Sequence, residues 1–139
     1  MKTLVATLAL AAVLSACADG YPPKDEGLIL HFQMTESDAL TALNRIGARD
    51  HLAHTWNYAL KKGCQLEITT PHGAFKKYVS VVNLQTSEPL MFKSDSAGRY
   101  TTAMQAEDEP VSAHVLTNGT WSDATMVKWL LDYLPKFCV

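Results

Sequence analysis

The sequence predicts an α+β domain in which an antiparallel sheet of five to six strands packs against one long N-terminal helix and a shorter C-terminal helix. Apolar residues recur at spacings of three, four and seven over residues 36–62 and again over residues 122–134, which is typical of amphipathic helices. Between these segments, short stretches alternate apolar and polar residues and are separated by turn residues. Strands joined by such short turns favour an antiparallel meander.

The first elements are a strand and the long helix. In residues 28–33, Leu28, Leu30 and Phe32 fall on one face of an extended chain, which predicts the strand. Thr35 then suits the N-cap of a helix over residues 36–62. Gly47 weakens that helix by about 1 kcal/mol relative to alanine, so a kink or break is expected there. Gly63 suits a left-handed C-cap and marks the predicted end of the helix.

The remaining strands form the rest of the predicted sheet, over residues 64–70, 74–84, 90–93, 99–105 and 111–116. The stretch 74–84 is apolar on both faces near its end, which indicates a central strand. Residues 94–98 are interpreted as the loop of a hairpin, and Pro135 as the end of the C-terminal helix. This order of elements resembles cystatin-like folds, in which a curved sheet wraps one long helix, but such a likeness carries no function.

The N-terminus carries a targeting signal. An almost unbroken apolar run over residues 4–14 suits the hydrophobic region of a signal peptide and is too short for a spanning helix. The run ends in Leu-Ser-Ala-Cys at residues 14–17, which resembles the lipobox of bacterial lipoproteins. The resemblance implies that residues 1–16 are removed and that Cys17 becomes the acylated first residue of the mature chain. Multiple acyl chains on that residue would anchor the protein stably to a membrane.

The residue after Cys17 is Ala18, not the aspartate that would favour retention at the inner membrane. If the source is Gram-negative, this points to the outer membrane. The alternative is an ordinary secretory signal, because residues 16–18 also fit a small-residue cleavage site. The protein would then be secreted or soluble in the periplasm. Residues 17–27, rich in glycine, proline and charge, are interpreted as a linker to a single domain over residues 28–139.

Charge and cysteine content limit which partners and which cysteine chemistry are expected. The 12 basic and 14 acidic residues give no strong basic field, so nucleic acid is not an expected partner. Once Cys17 is acylated or removed, Cys64 and Cys138 remain. In an oxidising envelope an isolated pair is expected to form a disulfide, here between the C-terminus and the end of the long helix. No C-x-x-C spacing supports a redox or metal-binding alternative.

Two histidines and an acidic stretch are the candidate metal ligands in the sequence. His51 and His54 lie three residues apart on the predicted helix and would share a face, as a zinc or copper pair does. The sequence offers no H-E-x-x-H motif and no evident third ligand, so the interpretation is a pair of half-exposed surface histidines. The acidic stretch 107–110 lacks the ligand order and central glycine of an EF-hand and is interpreted as a solvated loop. We therefore predict no metal site and no cofactor.

Two turns are candidate binding elements. His72 is expected at an exposed hairpin tip. The sequence Ser-Ala-Gly-Arg-Tyr at residues 96–100 resembles the loop of membrane-bound lysozyme inhibitors, small lipoproteins whose loop enters the lysozyme cleft, although the rest of that family's motif is absent. Ser96, Gly98 and Arg99 are thus the candidates in this loop.

The sequence favours a lipid-anchored envelope protein that acts as a non-catalytic binding or assembly module for an envelope protein partner. The chain has no G-x-S-x-G elbow and no phosphate-binding glycine loop. An inhibitor or immunity protein against a cell-wall hydrolase or peptidase is the alternative, with the loop 94–98 as the inserting element. A hydrolase or metalloprotein that uses His51 and His54 is the third and least supported hypothesis.

Overall fold

The computed structural model describes residues 28–49, 51–52, 54–72, 74–110 and 113–138, and this part of the chain is α+β, as predicted. The elements in chain order are α1 (Glu36–Gly47), β1 (Asn57–Lys61), β2 (Gln65–His72), β3 (Lys76–Asn83), β4 (Ser87–Lys93), β5 (Tyr100–Ala106), β6 (Ala113–Gly119), α2 (Trp121–Tyr133) and a 3₁₀ turn (Leu134–Phe137).

The strands of the described residues form two sheets rather than one. The first sheet has the order β1-β2-β3 and the second β4-β5-β6, and all neighbouring pairs are antiparallel. The prediction of a single sheet of five to six strands is therefore wrong. The chain leaves the first sheet where the Leu84 amide donates to the Cys64 carbonyl at 3.0 Å. The Gln85 amide then donates to the Asn83 side chain at 2.8 Å in the turn that follows β3. After this turn, β4 pairs with β5 and not with the first sheet.

The long N-terminal helix is also a wrong prediction, because α1 ends at Gly47 and residues 57–61 form a strand. The reason is a close backbone approach. The Gly47 carbonyl accepts a hydrogen bond from the Trp56 amide at 2.7 Å, and a Cβ atom on Gly47 would lie 2.4 Å from the Trp56 oxygen. Glycine thus ends the helix at the point where the returning chain crosses it.

The start of α1 follows the prediction. The Thr35 side chain accepts from the Asp38 amide at 3.1 Å, and the Asp38 carboxylate accepts from the Thr35 amide at 3.1 Å, which completes a capping box. The hydrogen bonds from the Thr35 hydroxyl and amide hold the pKa of Asp38 below its usual value.

Residues 28–33, predicted as a strand, form no strand. The backbone of this segment is held by a side chain instead. The Tyr133 hydroxyl lies 3.0 Å from the Phe32 carbonyl and 2.7 Å from the Met34 carbonyl, and Met34 is buried. The segment therefore lies against the end of α2 without joining a sheet.

A single core joins the two sheets. Helix α1 packs on β1, α2 packs on β4, β5 and β6, and the two helices contact each other. The buried Tyr58 hydroxyl on β1 donates to the Val115 carbonyl on β6 at 2.7 Å, which links the sheets directly. Arg49 after α1 and the buried Asp123 on α2 form an ion pair between the helices. Large, fully buried side chains fill the space between these layers, namely Leu43, Ile46, Leu66, Ile68, Met104, Leu116, Leu130, Leu131 and Leu134.

The C-terminus returns to the first sheet. Pro135 lies within the 3₁₀ turn that continues α2, and this turn brings Cys138 to Cys64 with a Cα–Cα distance of 5.3 Å. The predicted cysteine pair thus lies at disulfide distance. Cys64 belongs to the tight turn between β1 and β2, not to a helix end, and Gly63 has its positive φ of 75° in that same turn. The expected attachment of the C-terminus to the end of a long helix is therefore corrected to an attachment to a strand turn.

Candidate functional site

The ends of β2 and β3 extend beyond the rest of their sheet. The last residue pair between β1 and β2 is Asn57 with Thr69, whereas β2 and β3 continue to pair as far as His72 with Lys76. Beyond Thr69 the sheet therefore consists of two strands only. We call residues 70–72 and 74–81 the β2–β3 arm, which comprises this two-stranded end of the sheet and the adjoining residues 79–81 on the edge strand β3.

The β2–β3 arm carries large apolar side chains in solvent. Phe75 is fully exposed, and Tyr78, Val79 and Val81 are 62%, 58% and 54% exposed. Their neighbours along the arm are exposed as well, including every residue of β3 from Lys76 to Val81. A two-stranded hairpin is marginally stable in water, and it normally needs a third strand or a packed face. An arm of this composition offers both a partner surface and a strand edge.

The apolar side chains of the arm occupy both of its faces. Val79 pairs with Thr69 and Val81 with Glu67, on the face turned away from the buried Leu66 and Ile68. On the opposite face, Tyr78 pairs with Thr70. Contacts with a partner are thus available on either side of the strand.

The edge of the sheet adds backbone groups to this surface. In the described part of the chain β3 pairs with β2 alone, so alternate N–H and C=O groups of β3 point away from the sheet. The interpretation of residues 74–84 as a central strand is therefore wrong. The adjacent Lys76 and Lys77 were the sequence signal of an edge, because lysine is common on exposed edge strands.

Of the residues singled out in the sequence, His72 lies on this arm. It is exposed at the end of β2, and its ring centroid lies 4.4 Å from that of Tyr78. The turn was predicted over residues 71–73, but Pro71 and His72 still belong to β2. Sequence reasoning missed Phe75, Tyr78, Val79 and Val81 as a surface, since alternating apolar residues usually indicate burial.

The loop between β4 and β5, residues 94–98, is a separate structure on the second sheet. The Ser94 amide donates to the Arg99 carbonyl at 3.0 Å, and the Arg99 amide donates to the Ser96 carbonyl at 3.2 Å. Gly98 has a φ of 71°, which favours glycine. The Arg99 guanidinium donates to the Asn118 carbonyl at 3.3 Å, so this side chain is directed back towards β6.

The two histidines considered as metal ligands do not share a helix face. Both lie after the end of α1, where their backbones exchange hydrogen bonds of 3.1 and 3.3 Å. His51 is buried, and its Nε2 atom lies 2.7 Å from the Ile46 carbonyl oxygen, whereas His54 is exposed. The prediction that both histidines are half-exposed residues on one helix is therefore wrong. Among the described residues, no group of three or more histidine, cysteine or acidic side chains is arranged to hold a metal ion.

The acidic stretch and the predicted targeting signal are the remaining candidates from the sequence. Glu107, Asp108 and Glu109 are exposed, and the Glu109 carbonyl accepts a hydrogen bond from the Gln105 side chain. Cys17 and the linker 17–27 lie outside the described residues. Within the described ranges no helix is long and apolar enough to cross a membrane.

Comparisons with known proteins gave no match: no protein-family model, no curated protein and no solved structure is significantly similar to this chain. The functional argument therefore depends on the chain's own residues.

Proposed function

We propose that this protein is a lipid-anchored bacterial envelope protein that acts as a non-catalytic binding module, and that the β2–β3 arm is its binding element. The observation that carries the proposal is the exposure of Phe75 and Tyr78 at the two-stranded end of the sheet, and of Val79 and Val81 on the free edge strand that continues from it.

The energetic argument concerns apolar area left in water. Covering a large apolar side chain contributes about 1.5–3 kcal/mol, and aromatic side chains are common among the residues that dominate protein interfaces. An exposed edge strand also binds by accepting a further strand, in which backbone hydrogen bonds supply affinity and alternate side chains supply specificity. Val79 and Val81 are exposed on the same face of β3, and the exposed Phe75 precedes this strand. This arrangement suits both kinds of contact. We therefore expect an envelope protein that presents an extended apolar segment.

The anchor rests on the lipobox-like sequence at residues 14–17. Labelling growing cells with a palmitate analogue should modify the protein, and Cys17→Ala should remove the label. Absence of label from the wild-type protein, or a mature N-terminus after residue 17, would contradict the anchor without bearing on the arm.

The arm is tested by cross-linking in intact cells. A photoreactive residue placed at position 75 or 81 should give adducts with a partner protein. Trp121, which is 60% exposed on α2, is the matched control position and should give none. Adducts of equal yield at all three positions, or no adduct at positions 75 and 81, would remove the arm as the binding element.

Inhibition of a cell-wall hydrolase or peptidase is a second candidate, favoured by the hydrogen bonds that close the loop 94–98. A loop held in one conformation loses little entropy on entering a cleft. The Ser94 hydroxyl lies 2.7 Å from the Thr101 hydroxyl oxygen and further fixes the base of the loop. Purified protein should then inhibit a muramidase or an envelope peptidase, and Gly98→Val should abolish that inhibition because its φ is positive. No inhibition across a panel of both enzyme classes would exclude this candidate.

A further inference from the structure

A second exposed apolar surface lies where the chain enters the domain. Ile29 is 82% exposed and Phe32 is 80% exposed, although both precede the first helix by only a few residues. Phe32 contacts Trp129 on α2, with ring centroids 5.6 Å apart. We call Phe32, Trp129 and Lys136, together with Ile29, which lies three residues before Phe32 and beside Asp38 and Arg45 of α1, the entry patch.

The entry patch is held in place although it is exposed. The Tyr133 hydroxyl fixes the backbone of the segment at Phe32 and Met34, as described above. The Trp129 and Tyr133 rings are stacked with centroids 4.9 Å apart, which supports the ring on which Phe32 rests. The segment therefore presents its apolar side chains from a fixed backbone rather than from a frayed end.

A cation lies beside these rings. The Lys136 ammonium is 3.3 Å from the Phe32 carbonyl oxygen and 3.7 Å from the centroid of the Tyr133 ring. The acidic side chain near this end of α2, Asp132, is 3.2 Å from the Lys128 ammonium one turn earlier. Exposed aromatic and aliphatic side chains flanked by lysine are typical of the lipid headgroup region.

The length of the chain before the patch points to a bilayer as the occupant. Leu28 follows Cys17 by 11 residues. A chain of that length reaches at most about 38 Å when fully extended. If Cys17 is acylated, the entry patch stays within this distance of the membrane surface. A weak contact then becomes intramolecular, with an effective concentration in the millimolar range.

We infer that the entry patch rests on the headgroup region of the membrane that holds the Cys17 anchor. This inference depends on the acylation in the proposed function. Ile29 and Phe32 insert among the headgroups, and Lys136 faces lipid phosphate. The contact orients the domain on the membrane, and the β2–β3 arm is then presented at a defined height.

The test uses the protein purified from cells in detergent and reconstituted into phosphatidylethanolamine–phosphatidylglycerol vesicles with brominated acyl chains. The part of the tryptophan emission that Trp129→Phe removes is the emission of Trp129, and bromine should quench it. The double variant Ile29→Ser, Phe32→Ser should lose most of that quenching. Phe75→Ser, which removes a fully exposed aromatic side chain from the arm, should not. Phe32→Leu should retain the quenching, and circular dichroism checks that each variant is folded.

The outcomes separate this inference from the anchor. Palmitate label with quenching of Trp129 supports both, whereas label without quenching overturns the inference and leaves the anchor standing. If the protein carries no label, the secreted chain is floated with the same vesicles. A loss of about tenfold in partitioning for Phe32→Ser then supports the patch as a lipid contact, and equal partitioning of wild type and variant overturns it. Adducts of a photoreactive residue at position 32 with protein instead of lipid also overturn it.

Discussion

Removal of the Cys64–Cys138 link should cost a large part of the stability of this domain. The two cysteines are separated by 74 positions, and closing a loop of that length lowers the entropy of the unfolded chain by an amount worth about 4 kcal/mol at 25 °C. Domains of this size have free energies of unfolding of about 5–15 kcal/mol. The variant Cys64→Ala, Cys138→Ala should therefore remain folded but unfold much more readily.

Urea denaturation followed by circular dichroism measures this effect. With a urea dependence of about 2 kcal/mol per molar, the midpoint should fall by about 2 M in the double variant. Wild-type protein treated with dithiothreitol should show a similar decrease relative to the untreated protein. A decrease of less than about 0.5 M at an unchanged urea dependence would refute the reasoning. Two free thiols in the native protein would refute the pairing itself.

Three further predictions concern the junction between α1 and β1. Gly47→Ala should destabilise the domain by about 2–3 kcal/mol in the same denaturation assay, because the new methyl group overlaps the Trp56 carbonyl, and an unchanged midpoint would contradict this. Asn44→Ala should cost about 2 kcal/mol, because the Asn44 amide group donates to the Tyr58 carbonyl at 2.9 Å and accepts from the Tyr58 amide at 2.8 Å, and amide exchange at Tyr58 should accelerate. Burial raises the pKa of Tyr58 above its unfolded value of about 10, so its contribution to stability is complete below pH ~10 and is lost as the pH rises further. Tyr58→Phe should therefore lose the hydrogen bond to Val115 but flatten the decline of stability above pH ~10, and an equally steep decline would exclude Tyr58 as the cause.

The failed prediction of the long helix has a physical explanation. The residues after Gly47 fit a helical period through Trp56 and Leu60, yet the same residues also alternate, since Trp56, Tyr58 and Leu60 are partly or fully buried. Periodicity over so few residues fits both a helix and a strand. Gly63 was equally ambiguous, because its positive φ serves a strand turn as well as a helix C-cap. What decided between them is the contact of Gly47 with Trp56, which local sequence does not reveal.

Other features were local enough to predict. The capping side chain of Thr35 needs only the first turn of α1, and the start of α2 and most of the later strands were placed within a few residues. The pairing of Cys64 with Cys138 followed from counting cysteines. The division into two sheets and the exposed arm depend on which strands pair and on how many residues of each strand are paired. The start of β1 at Asn57, opposite Thr69, sets where the two-stranded end of the sheet begins, and the sequence of the arm does not indicate this position.

The link between Cys64 and Cys138 also determines how the protein would bear mechanical load. The β2–β3 arm lies inside the covalent ring that this link closes, whereas the segment at residue 28, which follows the proposed anchor, lies outside it. If the protein were pulled between a membrane and a partner bound to the arm, the force would reach the ring at Cys64. It would then divide between the two parts of the chain that connect Cys64 to the arm, one through β2 and one through Cys138. The shorter branch, which is β2, would carry most of the tension, and the C-terminal turn could not be peeled away first.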